Sequence, residues 1–295
     1  MTDMNHDQKP VYLVTGATSG VGHASAAQLA TRDTRVLLGA RSADSGHAAA
    51  SAIRARTPKA DLEVVVADLS DMRQVRSLAE QVLRHTTRLD GLILNAAEVR
   101  TRRELGPDGF ETNFATNYLS GFLLTHLLLP LLTSSAPARI VALSSSNHAH
   151  VKHLDLDALP TGTDFNHIRM YTTTKLLTVL FVSELARRAH GTGVTANAAD
   201  PGFVRTNLGR HTTGLFRLFL TVTRPFQTSP AKAAQTTVYL ATAPEVTTTS
   251  GGYFANGRPA RPSPLSQDPA VARKLWDLSV DLLTRRGLAS SDELT

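Results

Sequence analysis

The chain has 295 residues, 42% of them hydrophobic, a formal net charge of +6 and no cysteine. That length and apolar content suffice for one large core, and the missing cysteines exclude disulfides and thiolate chemistry, in keeping with a reducing cytoplasm. The positive charge is mostly arginine scattered along the chain, without the basic stripe and aromatic platforms of a nucleic-acid binder, and the polar first ten residues, read as a flexible N-terminus, hold no apolar signal core.

From residue 11 onward strand and helix patterns alternate. Val11-Tyr12-Leu13-Val14 is a short apolar run ending in a glycine-rich turn, and 24–30 reads as the helix that follows. Strand 35–40 precedes the alanine-rich helix 43–56, strand 62–67 precedes helix 72–85, and further strands are expected at 91–94, 139–143 and 194–198. The longest apolar run, 118–132, is shorter than the roughly 20 residues of a membrane span, so it predicts a buried or subunit-interface helix rather than stable membrane insertion. Continuous β-rich runs separated by helices predict an α/β fold: one doubly wound parallel sheet of about seven strands, of Rossmann type, with helices on both faces. The domain is expected over 11–285, with a lid-like stretch at 208–226 where the periodicity weakens and a C-terminal tail at 286–295.

The turn after the first strand reads Thr15-Gly16-Ala17-Thr18-Ser19-Gly20-Val21-Gly22. Glycines there let the backbone approach a pyrophosphate, and the helix that follows offers N–H groups and a positive dipole end. The second strand ends in Gly39-Ala40-Arg41-Ser42, without the acidic residue that binds an NAD ribose. A guanidinium beside a serine suits a 2′-phosphate, so the cofactor expected is NADP(H). Asp68-Leu69 after the third strand could accept from the adenine amino group or cap the next helix. Asn95-Ala96-Ala97 after the fourth leaves room for the cofactor.

Tyr171 and Lys175 share a helix face at i and i+4. A cation beside a phenol favours the phenolate, which predicts an acid–base pair with a lowered tyrosine pKa. The histidines at 148, 150 and 153 lack carboxylate or cysteine companions at zinc-like spacing, so no metal is expected.

T-G-x-x-x-G-x-G, N-A-x, the serines after the fifth strand, Y-x-x-x-K and Pro201-Gly202 after the sixth occur in order. With them the chain resembles the classical short-chain dehydrogenase/reductase family over about 11–283. Asp108-Gly109-Phe110-Glu111, Asn117-Tyr118-Leu119, Ser250-Gly251-Gly252-Tyr253-Phe254 and Lys274-Leu275-Trp276 are similar to its retinol dehydrogenase, WW-domain oxidoreductase and protochlorophyllide reductase-like branch. Two departures are Ala97, where the family has glycine, and Thr174, where it has serine. The absence of cysteine argues against light-dependent pigment reduction, and the anchor of membrane retinol dehydrogenases is not expected.

The resemblance implies that Tyr171 is general acid and base, with Lys175 tuning it and bonding the nicotinamide ribose. It makes Ser145 the group that polarises the substrate carbonyl and Asn117 the holder of a relay water. It also implies that Pro201-Gly202-Phe203-Val204-Arg205-Thr206 packs on the nicotinamide, with Thr206 near the carboxamide or pyrophosphate. His148 is expected to touch the substrate from a loop beside its entrance, and Phe216 in the lid is expected to line a pocket for a bulky apolar substrate, the rival being a membrane-touching helix. Family members pair helices such as 117–132 and 171–188, so a homodimer or homotetramer is expected. The activity expected is NADPH-dependent reduction of a hydrophobic ketone or aldehyde, with polyketide reduction in a bacterial cytoplasm as one niche. The alternative is a non-catalytic NADP(H)-binding redox sensor.

Overall fold

The computed structural model describes residues 9–204 and 228–294. Strands β1 (Val11–Val14), β2 (Arg35–Ala40), β3 (Asp61–Val66), β4 (Gly91–Leu94), β5 (Ala138–Leu143), β6 (Val194–Asp200), β7 (Tyr253–Ala255) and β8 (Arg258–Pro259) form one sheet in the order β3-β2-β1-β4-β5-β6-β7-β8. The first seven run parallel; Val14, for instance, sits beside Leu38 of β2 and Ile93 of β4. β8 pairs antiparallel with β7 through Ala255↔Arg258 and Phe254↔Pro259. The turn between them is Asn256-Gly257, both at positive φ (51° and 72°), which suits a two-residue hairpin. Pro259 is tolerated because β8 is an edge.

Helices cover both faces. Below one face lie α3 (Met72–His85), α4 (Thr112–Ser134), α5 (His167–Arg188) and α7 (Pro269–Arg285), whose Val75, Phe122, Leu180 and Trp276 share a core with Leu13, Leu92 and Ile140 of the sheet. On the other, α1 (Gly20–Ala30), α2 (Ala43–Arg54) and α6 (Pro230–Thr242) bury Leu29, Ile53 and Val238 against Val14, Leu38 and Val141. α1 begins at Gly20 rather than near residue 24, because the glycines read as a turn already wind its first turn.

α4 is long and apolar enough to cross a membrane, yet most of its apolar stretch is buried inside the fold. Phe122 meets the Trp276 ring edge-on at 5.0 Å and Phe181 at 5.7 Å, so α5 and α7 cover its apolar face. The segment expected as a tail docks: Leu288 and Leu294 are buried, Arg76 pairs with Glu293 at 2.7 Å, and Arg286 lies 4.0 Å over the Phe110 ring.

The strand order reverses between β1 and β4, and the crevice beyond their carboxyl ends is where such sheets bind ligands.

Candidate active site

Glycine geometry builds the turn expected to meet a cofactor. Gly16 and Gly20 have φ of 64° and 58°, left-handed values that disfavour a side chain. A Cβ on Gly16 would stand 2.9 Å from the Cα of Ala96, and one on Gly22 2.2 Å from Asn95 Nδ2 and 2.4 Å from the carbonyl oxygen of Gly16. Asn95 staples the end of β4 to this turn: its Nδ2 donates to the carbonyls of Thr15 (2.8 Å) and Gly16 (3.2 Å). Thr15 Oγ1 accepts from the backbone N–H groups of Asn95 and Ala96 at 3.0 and 3.1 Å. The first turn of α1 carries no acidic residue, and the exposed Ser19 at its N-cap makes no side-chain capping bond, so the positive end of α1 is not neutralised by its own side chains. The tight backbone, the open helix end and the half-exposed Thr18 fit a dinucleotide pyrophosphate. Val21 points instead into the core.

The region expected to meet the ribose is less simple than its sequence. Arg41 is exposed and pairs with Glu98 at 3.4 Å. Ser42 caps α2, accepting from the Ser45 N–H, rather than standing free for a phosphate. Of the two readings of Asp68, the cap belongs to its neighbour: Asp71 accepts from Arg73 and Gln74 at the start of α3, and Asp68 accepts from the N–H and hydroxyl of Ser70. Leu69 packs partly buried against the core and helps line a small cavity with Ala96, Asn117 and Leu143. Ala97 is half-buried.

At the catalytic end, Ser145 lies just past β5, at the N-cap of a 3-10 turn Ser146–His150, where its hydroxyl accepts from the Asn147 N–H at 3.3 Å. Tyr171 and Lys175 rise from the first turns of α5, and the Lys175 Nζ lies 5.6 Å from the centre of the Tyr171 ring. The i, i+4 spacing therefore gives the expected neighbourhood, but not the expected electrostatics. Burial pushes the Tyr171 phenol up, to about 12; Asp200 pushes the same way and hydrogen bonding from Ser145 pulls against it. Burial pulls Lys175 down to about 8, against the opposing pull of Asp200, and its Nζ donates to the carbonyl of Leu143 at 2.9 Å. The lowered tyrosine pKa expected from the pair is thus corrected: a buried ammonium turned toward a carbonyl does too little to offset the desolvation of the phenolate.

Asn117 sits within a five-residue π-helical turn of α4, Ala115–Leu119, a distortion often found at functional positions. Its side chain clamps the backbone of Glu98, accepting from the N–H at 2.7 Å and donating to the carbonyl at 2.9 Å. It also donates to Thr174 Oγ1 at 3.3 Å, and Thr174 donates back to the Tyr171 carbonyl at 2.8 Å.

His148 is placed differently from expectation. It is buried, its Nδ1 2.7 Å from the Ser145 carbonyl and its Nε2 accepting from the Ser263 N–H at 3.0 Å. These bonds fix the neutral tautomer with the proton on Nδ1 and leave no ring nitrogen for a substrate. His150 and His153 are exposed.

Beyond β6, Pro201 and Val204 are half-buried, and Gly202, at φ 75°, donates its N–H to Asp200 Oδ1 at 2.8 Å. Val204 bridges to Thr228. Thr206, Phe216 and the expected lid at 208–226 lie outside the described residues. Sequence reasoning missed Asp200, buried, whose other carboxylate oxygen accepts from the Tyr253 hydroxyl at 2.7 Å. It stands immediately before the Pro-Gly pair, which was the available signal.

A family model described as short chain dehydrogenase matches residues 10–213. The chain is 41% identical over 283 residues to human retinol dehydrogenase 14, covering 90% of this chain and 84% of the relative. It is 38% identical to the WW domain-containing oxidoreductase of Danio rerio, covering 94% and 69% of the two. A crystal structure of a putative uncharacterized protein from Mycobacterium Paratuberculosis superposes with a TM-score of 0.75 at 30% identity, covering 96% of this chain and 98% of that one. A single-residue variant of actinorhodin polyketide ketoreductase, solved with NADPH, superposes at 0.67 with 22% identity, covering 90% and 99%.

Proposed function

The chain belongs to the short-chain dehydrogenase family, and we propose that within it the protein is an NADPH-dependent reductase of a hydrophobic aldehyde or ketone. The observation that carries this reading is the gathering of Ser145, Tyr171 and Lys175 at the carboxyl edge of the sheet, beside a glycine turn shaped for a pyrophosphate. In this scheme the Tyr171 hydroxyl gives its proton to the carbonyl oxygen of the substrate while the Ser145 hydroxyl polarises the same oxygen. A phenol held near 12 keeps its proton at neutral pH and is therefore in the form that can donate to a carbonyl oxygen. When bound, the nicotinamide cofactor supplies the hydride; the glycine turn would hold its pyrophosphate and Arg41 its 2′-phosphate.

For the substrate, the relatives named retinol dehydrogenase favour a long apolar aldehyde. The polyketide ketoreductase, at 22% identity, speaks for the fold alone. The test is an NADPH-oxidation screen over retinoid and aliphatic aldehydes, steroids and polyketide ketones, with Tyr171→Phe as control. Turnover with the apolar aldehydes that is lost in the variant supports the proposal; no turnover with any member of the panel returns the protein to a cofactor-binding sensor.

A further inference from the structure

Arg41 follows β2, and Glu98 lies a few residues beyond β4; those strands flank β1 on either side. The Arg41–Glu98 ion pair at 3.4 Å therefore spans the crevice at its ribose end. The two partners are unequally held. The Arg41 side chain is 61% exposed and that of Glu98 only 14%. The Glu98 carboxylate also accepts from Arg100 Nε at 3.2 Å and from Thr116 Oγ1 at 3.2 Å, while its backbone is clamped on both sides by Asn117. Glu98 is thus the more firmly held partner and Arg41 the more exposed one, a guanidinium tethered to a carboxylate that other bonds hold in place.

We propose that Glu98 is a positioning residue for cofactor choice: it holds Arg41 across the crevice, and a 2′-phosphate must take the guanidinium from it. This inference rests on the NADP(H) reading of Arg41. A phosphate carries more charge than a carboxylate and offers more acceptor oxygens, so it wins the arginine. The contest nevertheless lowers the net gain from the 2′-phosphate, and a cofactor lacking that group leaves the pair intact. Glu98 therefore narrows the preference for NADP(H) over NAD(H) without supplying a contact of its own to either.

The test is calorimetric titration of NADPH and NADH into the full chain, for wild type, E98Q, R41A and the double variant. Glutamine keeps the shape and the backbone clamp; Glu98→Met, of similar reach and no charge, gives a second reading, and thermal melts confirm folding. An exposed ion pair is worth up to about a fivefold ratio, so E98Q and Glu98→Met should tighten NADPH by about fivefold and leave NADH within about twofold. In the R41A background the Glu98 change should have no effect on the NADPH to NADH ratio. If R41A lowers that ratio but both Glu98 variants leave it as in wild type, or weaken both cofactors alike, the positioning role is overturned and the NADP(H) reading stands. If R41A leaves the ratio unchanged, the NADP(H) reading itself is lost, and this inference with it.

Discussion

Gly22→Ala tests how tightly the cofactor turn is built. Alanine is the better helix former by about 0.8–1 kcal/mol, so on an open helix the change would stabilise. Here the new Cβ would lie 2.2 Å from Asn95 Nδ2 and 2.4 Å from the Gly16 carbonyl oxygen, well inside contact distance. The amide could retreat, but only by giving up its bonds to Thr15 and Gly16 at 2.8 and 3.2 Å; the Gly16 oxygen is backbone and moves only with the turn. Overpacking costs about 1–3 kcal/mol and loss of even one of those two bonds about 1 kcal/mol more, so the clash outweighs the helix gain by about 2 kcal/mol. For a domain of this size that lowers the melting temperature by roughly 5 °C. Displacing the turn should also weaken cofactor binding by about tenfold, equivalent to one well-aligned hydrogen bond to a charged group. Scanning calorimetry and cofactor titration read the two effects. Repeating the change in an Asn95→Ala background closes the cycle, and the stability penalty should shrink there because one of the two obstacles is gone. An unchanged melting temperature, or a penalty that is the same in both backgrounds, would refute the packing argument.

Tyr171→Phe should lower reductive turnover by about 10²–10⁴-fold, the usual worth of a positioned acid, while NADPH binding by titration stays within about twofold. With Lys175 held near 8, the site has its ammonium below that pH and loses it above, so kcat/KM for reduction should fall as pH rises through about 8. Asp200 raises the Lys175 pKa, so Asp200→Asn should move that limb to lower pH; a limb that stays in place removes Asp200 from the charge balance. Arg41→Asp should reduce the NADPH to NADH ratio in steady-state kinetics, and an unchanged ratio would count against the 2′-phosphate assignment. His148→Ala should lower kcat by a similar factor for every substrate, since the ring anchors the Ser145 carbonyl; selective changes in KM would instead indicate a substrate contact.

What the sequence made legible was backbone and spacing. The alternation of apolar runs with helical patterns gave the parallel sheet, because strands buried on both faces must be continuously apolar. The ordered glycines gave the turn, because φ of 64° and 58° is where glycine goes without the cost that a Cβ brings, and a Cβ on Gly16 would also meet Ala96. Y-x-x-x-K gave the neighbourhood of Tyr171 and Lys175, because helix geometry alone puts i and i+4 together. β7 and β8 were not located although Asn256-Gly257 between them is a strong hairpin signal, since runs of three and two residues are too short to show alternation. The sign of the Tyr171 shift was not legible, because it depends on how much water the fold removes and on a carboxylate 29 residues away in sequence. The role of His148 escaped for a related reason: its Nε2 partner, Ser263, lies 115 positions downstream.

A hydrogen-bonded network joins the Glu98 segment to the helix that carries Tyr171. Asn117 grips both backbone groups of Glu98, touches Thr174, and Thr174 is bonded back to the turn that carries Tyr171. A straight α-helix keeps its carbonyls and N–H groups in register; the π-helical turn at Ala115–Leu119 inserts an extra residue per turn and re-aims the Asn117 side chain relative to the rest of α4. Serine, the family's residue at position 174, offers the same hydroxyl, so threonine keeps the link while its extra methyl limits rotation about χ1. Thr174 is fully buried, which leaves that methyl no solvent to turn into. Asn117 and Thr174 therefore make a bonded route of two side chains from the backbone of Glu98 to the backbone of Tyr171, through groups whose polar atoms are already engaged.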